Sequence, residues 1–463
     1  MREPFEYEGL TYLRTELGDI IAGKDACPEA VAIADLDGDG CADVIAIESM
    51  GHEYASQEVV AMHGPSGRVV WRAGKGQIGM RLVLSDGVVI ALGADASSLL
   101  AFDSRTGTPM WSVSLPAAVL DDPYGQFGMT WNTPALTDHG KVIAFGCEDG
   151  TVHVFESRTG KPLVQREGRL LEPGHGIPGV VAFLLDDEGE RTVELWDAAE
   201  GRQFFRARVH SFAPLALGPD GTLHVFTADA APKNGVPMTK VVSFDLPTKR
   251  VLRDVWVTPG RDNVVPHNGL SCDAHRMAVL GTDRLLLASD DKERGGGIVI
   301  DLAAKPAAGS PPKPPSVRPV LRLPPPQPGY MLRCVERFAQ TVVAIWEHEK
   351  SHRLMVIGLD PQTVEPRWFI GDAGGVDLKN HCLRTENALL VPFAPGGKEE
   401  HTAAAPVFWA HVDPATGARL AQYAVHELDC ARLFAGKWLL GHSSSFPSRP
   451  LIVWDIEKRE RVL

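Results

Sequence analysis

A short hairpin pattern recurs nine times along this chain, and it limits the possible fold more than any other feature. Each copy has an alternating apolar strand, a turn built on Ser, Thr or Pro and usually Gly, and a second strand. A short polar side chain can bond to its own backbone in such a turn, and Gly adopts the positive φ. The copies lie at 59–74, 99–115, 152–168, 193–209, 241–257, 297–324 (degraded), 354–372, 407–425 and 451–463.

Most copies follow a second apolar hairpin, such as RLVLSDGVVIALG at 81–93. Two hairpins make a four-stranded unit of about 40 to 50 residues, which is the size of a propeller blade. Propellers typically have about four to eight blades, so either one of the nine copies is an insertion or the ring is unusually large. We predict an all-β chain that forms a single β-propeller domain over residues 1–463, with about eight four-stranded blades and a range of seven to nine.

We make separate predictions for three further segments. The apolar stretch FEYEGLTYLRTE at 5–16 is expected to pair with the last blade and close the ring, which removes exposed strand edges. The Pro-rich segment 303–329 is predicted to be an extended loop inserted between blades, with docking or proteolysis as its alternative roles. A second exposed loop is expected at 392–406.

An acidic stretch near the N-terminus has the spacing of a metal-binding loop. Residues 35–43 read D-x-D-x-D-G-x-x-D, so a tight turn can direct the carboxylates inward, and the backbone carbonyl of Cys41 can add an oxygen. Hard, mostly anionic oxygens suit Ca²⁺. A calcium-binding helix-loop-helix hand is excluded because loop position 12 is Ala46 and the flanks are strand-like. The predicted structural calcium ligands are Asp35, Asp37, Asp39, Cys41 and Asp43.

The alternative for this stretch is an ordinary polar turn that binds nothing. Four acidic residues in nine positions would repel one another without a cation, and this disfavours the alternative. We therefore expect a calcium ion that holds the loop in shape and takes no part in catalysis.

Both patterns resemble known propeller families. The acidic stretch resembles the FG-GAP calcium loop of integrin-type propellers, which implies a structural calcium ion. The hairpins resemble the PQQ-like (quinoprotein-like) repeat ALxxxTGKxxW, most closely at Leu99–Trp111 and Val152–Val164. This second resemblance implies a blade type without implying an activity. Tryptophans lie near the ends of four repeats, at Trp71, Trp111, Trp256 and Trp368.

Charge and composition exclude several classes of partner. The formal net charge is −13, which disfavours nucleic acid because phosphate binding needs a basic surface. No run of 18 apolar residues occurs, so no membrane partner is expected. The seven cysteines are scattered without a CxxC pair, and the first residues have no apolar leader. We expect a cytoplasmic protein.

Cysteines and arginines of the late repeats are the other candidates for chemistry. Four cysteines fall on the expected first strands of late blades, and with nearby histidines they could bind a thiophilic metal. The alternative is that they are buried packing residues. Neighbouring arginines could form a cationic channel mouth or simply pair with acids. These residues are Cys272, Cys334, Cys382, Cys430, His267, His275, His381, Arg333, Arg337, Arg384 and Arg432.

The sequence favours a binding protein over an enzyme. Rigid repeats, long insertions and the absence of a catalytic motif predict a non-enzymatic interaction or regulatory scaffold for another protein. The first alternative is a metal-dependent lyase or hydrolase with its site in the central channel. The second is a quinoprotein oxidoreductase, which the absence of adjacent cysteines disfavours.

Overall fold

The computed structural model describes twenty-two stretches of the chain, and these consist of strands and turns without a helix. Accordingly, none of them contains a helix with the length and apolar character needed to cross a membrane. The described residues are 5–7, 10–12, 31–48, 57–64, 66–120, 136–170, 177, 179–187, 190–209, 215–229, 238–257, 277–281, 283–288, 296–303, 320–351, 353–373, 383–384, 388–393, 407–425, 432–434, 437–442 and 451–462.

The described strands form one two-stranded sheet and nine four-stranded antiparallel sheets, each four-stranded sheet from strands consecutive in the sequence. The two-stranded sheet is β1 (Phe5–Tyr7) with β2 (Leu10–Tyr12). The first three four-stranded sheets are β3 (Val31–Ala34), β4 (Asp43–Glu48), β5 (Glu58–His63) and β6 (Arg68–Ala73); β7 (Ile78–Ser85), β8 (Val88–Gly93), β9 (Ser98–Asp103) and β10 (Pro109–Ser114); and β11 (Thr137–Asp138), β12 (Val142–Gly146), β13 (Thr151–Glu156) and β14 (Pro162–Glu167).

The next three four-stranded sheets follow the same order. They are β15 (Arg169–Leu170), β16 (Val180–Asp187), β17 (Glu190–Asp197) and β18 (Arg202–Val209); β19 (Leu215–Leu217), β20 (Thr222–Asp229), β21 (Met238–Asp245) and β22 (Arg250–Val257); and β23 (Met277–Leu280), β24 (Arg284–Ala288), β25 (Gly297–Asp301) and β26 (Val320–Leu323).

The last three sheets are built in the same way. They are β27 (Tyr330–Arg337), β28 (Val342–His348), β29 (Leu354–Leu359) and β30 (Pro366–Ala373); β31 (Leu383–Arg384), β32 (Leu389–Phe393), β33 (Val407–Val412) and β34 (Arg419–Val425); and β35 (Arg432–Phe434), β36 (Trp438–His442), β37 (Leu451–Asp455) and β38 (Glu460–Arg461). Each of the nine hairpin copies seen in the sequence supplies the third and fourth strands of one sheet.

The nine sheets pack face to face in a closed circle, which makes the fold a β-propeller, as the repeats predicted. Nine apolar clusters lie between the sheets, and each contains residues from two successive sheets. The circle closes where Val31 and Val44 of the first sheet meet Trp438 and Val453 of the ninth. First strands contact the first strands of neighbouring sheets, for example β3 with β7 and β35, so first strands surround the central axis.

Burial along the strands follows from this packing. Every residue of β8 and of β29 is buried, because both faces of these strands contact a neighbouring sheet. The fourth strand β10 alternates between exposed and half-buried positions, because it lies at the outer edge of its sheet. Continuous apolar runs therefore mark the middle strands, whereas alternation marks the outer ones.

Two segments differ from the predictions. The expected ring-closing stretch pairs with itself as β1 and β2, and the ninth sheet takes all four strands from the C-terminal region. Only Glu8 and Gly9 separate β1 from β2, so the local hairpin closes a far shorter loop.

The predicted Pro-rich loop 303–329 was wrong in its C-terminal part, because β26 lies there and pairs with β25. Leu321, Arg322 and Leu323 alternate in the manner of a strand, and the prolines at 324–326 end the strand. Residues 304–319, and residues 394–406 of the second expected loop, lie outside the described residues.

A one-residue bulge recurs near the start of the fourth strand in seven of the nine sheets described. In the first sheet, for instance, Met62 pairs with Val69 and Ala61 with Trp71, so that Val70 is left unpaired. The unpaired residue of a bulge is released from the ladder and redirected. We call these positions the bulge residues; they are Val70, Met110, Leu163, Phe204, Leu252, Arg367 and Leu420.

The residue after the bulge joins neighbouring sheets where it is tryptophan. The indole Nε1 of Trp71 donates to the carbonyl of Ser104 in the next sheet at 3.0 Å, and Trp111 donates to Ser157 at 2.9 Å. Trp368 makes the same bond to Pro414 at 3.1 Å. Each indole also lies against a turn glycine of the next sheet, so the TG and W of the repeat form one contact between two sheets: Gly107, Gly160 and Gly417.

At two contacts between neighbouring sheets, a residue other than tryptophan makes the polar bond. Between the eighth and ninth sheets, the Tyr423 hydroxyl donates to the carbonyl of Ile456 at 3.3 Å. Trp256, grouped with the repeat tryptophans in the sequence, lies three residues beyond the equivalent position, which Arg253 occupies. The Arg253 guanidinium pairs instead with Asp283 of the sixth sheet.

An aspartate caps the turn after the third strand in seven of the described sheets. Its carboxylate accepts hydrogen bonds from backbone N–H groups two or three residues later, as the turn chemistry predicted. Asp103 accepts from Arg105 and Thr106, and Asp360 from Gln362 and Thr363. The other five are Asp197, Asp245, Asp301, Asp413 and Asp455.

The contact between Trp111 and Gly160 can be tested with a matched pair of glycines. Gly160 and Gly150 both have positive φ, +68° and +79°, but a Cβ would lie 2.6 Å from the Trp111 ring only at Gly160. Both Gly→Ala changes add backbone strain. We expect Gly160→Ala to lower the free energy of unfolding by about 2 kcal/mol more than Gly150→Ala, measured by guanidinium denaturation. Equal losses would show that the ring and the turn do not depend on each other.

The aspartate caps give the stability a defined dependence on acid. Backbone N–H groups of Thr363 and Gln362, and then Arg367, lower the pKa of Asp360 to about 2. A lowered folded pKa means that the cap stabilises the fold above about pH 3.8 and that this contribution disappears as the pH falls towards 2. Wild type should therefore be more stable than Asp360→Asn at pH 6, and the difference should shrink between pH 4 and pH 2. An unchanged difference in urea denaturation across that range would contradict this role of the charge.

Candidate metal centre

The acidic loop, Asp35–Asp43, connects β3, the innermost strand of the first sheet, to β4, the second strand of the same sheet. Gly38 and Gly40 adopt φ of +85° and +83°, a conformation that only glycine reaches without strain. In an antiparallel sheet of four strands, the connections 1–2 and 3–4 lie at the same end. The acidic loop therefore shares one face of the propeller, the turn face, with the capped turns of the hairpin repeat.

Asp35 and Asp43 hold the backbone of the loop. Asp35 accepts from the N–H groups of Gly38 at 2.7 Å and Gly40 at 2.9 Å. Asp43 is 1% exposed and accepts from Leu36 at 2.9 Å and from Gly64 at 3.0 Å. A buried carboxylate needs such partners, so Asp43 ties the loop to the end of β5 whether or not an ion is bound.

Three carboxylates of the loop form an inner group that could hold a cation. One oxygen each from Asp35, Asp37 and Asp43 lie within 4.8 Å of one another. A carboxylate has about four lone-pair sites, so the backbone bonds of Asp35 and Asp43 leave capacity for a metal. Three anionic oxygens match the preference of Ca²⁺ for hard ligands.

His63 joins a second, outer group that the sequence did not suggest. Its Nε2 lies 3.2 Å from an Asp39 oxygen and 3.8 Å from an Asp37 oxygen, and its Nδ1 bonds to Ser66 Oγ at 2.8 Å. Asp39 therefore groups with Asp37 and His63, apart from Asp35 and Asp43. An imidazole nitrogen beside two carboxylates suits divalent transition metals as well as charge pairing.

Aligning the repeats with one another would have identified His63 as an unusual residue at its position. His63 ends the third strand of the first sheet, where Asp103 and six other aspartates end or follow the third strands of their sheets. A carboxylate at this position would face Asp37 and Asp39 and repel them, whereas an imidazole can bond to them. The first sheet thus has histidine, and not the repeat aspartate, at the position that faces the acidic loop.

Cys41, whose carbonyl is the remaining predicted ligand, lies beside Asp39. The backbone N–H of Cys41 donates to Asp39 at 2.7 Å and is the main cause that lowers the pKa of Asp39. Partial burial, and then Asp39, raise the pKa of the Cys41 thiol, so the sulfur stays protonated. The Gly40 carbonyl faces the ninth sheet, where Lys437 Nζ donates to it at 3.3 Å.

Cys334 is the described member of the four late-repeat cysteines, and it is a packing residue. It is 6% exposed and lies in the apolar cluster between the seventh and eighth sheets with Val343 and Leu389. Cys272, Cys382 and Cys430, with the three nearby histidines, lie outside the described residues.

The described late-repeat arginines bond within their own sheet. Arg333 Nε donates to Glu347 at 2.8 Å, and Arg337 donates to the carbonyl of Ala339 at 3.0 Å. The side chains of Arg384 and Arg432 are not among those described. The described pair thus agrees with the expectation that strand-end arginines satisfy local partners.

Comparison with protein families supports the repeat type. The family model described as outer membrane protein assembly factor BamB matches residues 55–163. This range contains the hairpin at 99–115 and most of that at 152–168, the two that most resemble the PQQ-like repeat, and it covers about a quarter of the chain. The chain is therefore a β-propeller whose residues 55–163 match a model of PQQ-like repeats. A search of curated proteins returned no significant match.

Three solved structures match this chain at low sequence identity. A eukaryotic initiation factor is 14% identical, with a TM-score of 0.50 over 87% of this chain and 91% of its own. BamB from Moraxella catarrhalis is 13% identical, with a TM-score of 0.38 over 78% and 92%. The quinohemoprotein alcohol dehydrogenase from Comamonas testosteroni is 12% identical, with a TM-score of 0.38 over 78% and 70%.

Proposed function

We propose that this protein is a non-enzymatic scaffold that binds another protein on the turn face and outer edge of a calcium-stabilised propeller. The observation that carries the proposal is the repeated bulge. Six of the seven bulge residues are apolar, and Val70, Met110 and Leu252 are 46%, 42% and 54% exposed. An exposed apolar side chain at the same bulge position in three of the nine described sheets is a surface suited to protein contact.

Other exposed apolar residues extend this surface on two sheets. Val251 adjoins Leu252 on β22 and is 57% exposed, and Phe369 on β30 is 55% exposed. Arg250 and Arg253 flank the β22 pair in sequence, so the patch has a polar border. Apolar residues with a charged border are typical of interfaces that form between folded partners.

The family comparison supports a protein partner. The family model that matches residues 55–163 is named for a factor that acts in the assembly of outer membrane proteins. In this proposal the present chain likewise contacts protein rather than nucleic acid or membrane, in keeping with its net charge of −13. We retain the cytoplasm as its proposed location, because seven scattered cysteines suit a reducing compartment.

Calcium has a structural role in this proposal. The inner group of the acidic loop would hold the ion, whose charge would offset the repulsion among Asp35, Asp37 and Asp43. The ion would fix the loop on the turn face and so fix part of the docking surface. Direct binding of a thiophilic metal would instead favour the channel enzyme, and a cofactor absorbance would favour the oxidoreductase.

The calcium role predicts different behaviour for Asp43 and Asp37. Asp43→Ala should lower the free energy of unfolding by about 2 kcal/mol even in chelator, because two buried N–H groups lose their acceptor. Asp37→Ala, at a side chain 56% exposed, should be nearly neutral in chelator but should abolish the stabilisation that calcium gives to wild type. Urea denaturation with and without calcium measures both. Equal stabilisation of wild type and Asp37→Ala by calcium would rule out this site.

The scaffold role predicts a partner that depends on the exposed apolar residues. Tagged wild type in a lysate of the native host should capture one protein in near-stoichiometric amount, measured by quantitative mass spectrometry. The triple variant Val251→Ser, Leu252→Ser, Phe369→Ser should lose that protein at least tenfold. The exposed control Gln165→Ser on β14 should retain it. Equal capture by all three proteins would contradict the proposed surface, and no capture by wild type would contradict the scaffold.

A further inference from the structure

The contact between the first and ninth sheets differs from every other sheet contact in its connectivity. Consecutive sheets are joined by the chain itself, from β6 into β7 and onward to β34 into β35. The first and ninth sheets meet with no chain passing from one to the other, and each takes all four strands from its own stretch of sequence. We call this contact the seam. Among the described residues neither a linker nor a shared strand joins these two sheets, so their side-chain interactions hold the seam closed.

Apolar packing supplies one part of the seam. Ile33 and Ala42 of the first sheet lie in one cluster with Trp438 and Val453 of the ninth. The first strands β3 and β35 are also in contact. Such packing is non-directional and similar in kind to that of the other eight contacts. It does not by itself fix the register of the two sheets.

A lysine supplies the directional part. Lys437, at the start of the second strand of the ninth sheet, donates to the Gly40 carbonyl at 3.3 Å. Its Nζ also lies 3.7 Å from Asp455, which is 1% exposed, and 5.1 Å from the centroid of the Trp438 ring. The ammonium is therefore held on three sides, and only 23% of its side chain is exposed.

The acidic loop is rigid where the lysine bonds to it. The N–H of Gly40 donates to Asp35 at 2.9 Å, while the carbonyl of Gly40 accepts from Lys437. Asp455 in turn accepts from the N–H groups of Glu457 and Lys458, so the far end of the link is anchored in a capped turn. A continuous line of polar bonds thus runs from the first sheet to the ninth.

We propose that Lys437 and the acidic loop form a clasp that keeps the propeller closed, and that the ring opens first at this seam. Opening the ring costs the least free energy at the one contact that no chain bridges. The first and ninth sheets can then move apart while every other pair of neighbouring sheets stays linked by the chain. The acidic loop thereby has a second role, independent of any ion. A partner that engages the loop would act directly on ring closure.

Hydrogen–deuterium exchange in chelator tests the clasp without involving calcium. Lys437→Met keeps the aliphatic stem on Trp438 and removes the ammonium. We expect about tenfold faster exchange in residues 31–48 and 437–442, with other sheets changed less than threefold. Lys437→Arg, which retains a donor and charge, should restore most of the protection.

A matched lysine at a bridged contact provides the control. Lys249 Nζ lies 3.4 Å from Asp197 between the fourth and fifth sheets, which the chain joins. Lys249→Met should change exchange in 190–209 and 238–257 by less than threefold. Equal effects of the two Lys→Met changes at their own contacts, or no change in 31–48 for Lys437→Met, would overturn the proposal.

Wild type alone provides a second readout if Lys437→Met does not fold. The second strands β4 and β36 at the seam should exchange faster than the second strands β8 and β28 elsewhere. Slower or equal exchange of the seam strands would show that the ring does not open there.

Discussion

A four-stranded sheet with two apolar faces cannot be stable alone, and the rest of this structure follows from that constraint. β8 and β29 are buried along their whole length only because a further sheet covers each side. Every sheet therefore needs two neighbours, and a linear stack would leave both end sheets uncovered. The circle removes the ends, and the cluster of Val31, Val44, Trp438 and Val453 is where it does so.

Directional hydrogen bonds, in addition to this apolar packing, explain the repeat motif. The Trp of one sheet and the TG of the next form one unit, as in Trp111 with Gly160, and in seven of the described sheets an aspartate caps the corresponding turn. The same bulge that positions Trp111 leaves Met110 unpaired and exposed. The bulges that align the sheets thus also place the three exposed apolar side chains on which we base the proposed function.

The repeats predicted strands and turns well, because period-two alternation and turn chemistry are local. Each hairpin copy became two strands of one sheet, including the degraded copy at 297–324. Contacts between distant segments could not be predicted in this way. His63 reaches Asp39 through strand pairing, Lys437 reaches Gly40 across the seam, and Trp256 falls out of register by three residues. Pairing of β1 with β2 was missed because a short local loop competes with ring closure.

The central claim is that side chains alone close a ring of two-faced sheets, with the acidic loop at the point of closure. A crystal structure of the full chain tests it most directly through the electron density between the first and ninth sheets. We predict β3 packed on β35, the Lys437 ammonium on the Gly40 carbonyl, and no further strand paired with β38. A strand from residues 1–30 hydrogen-bonded into the ninth sheet would contradict the account.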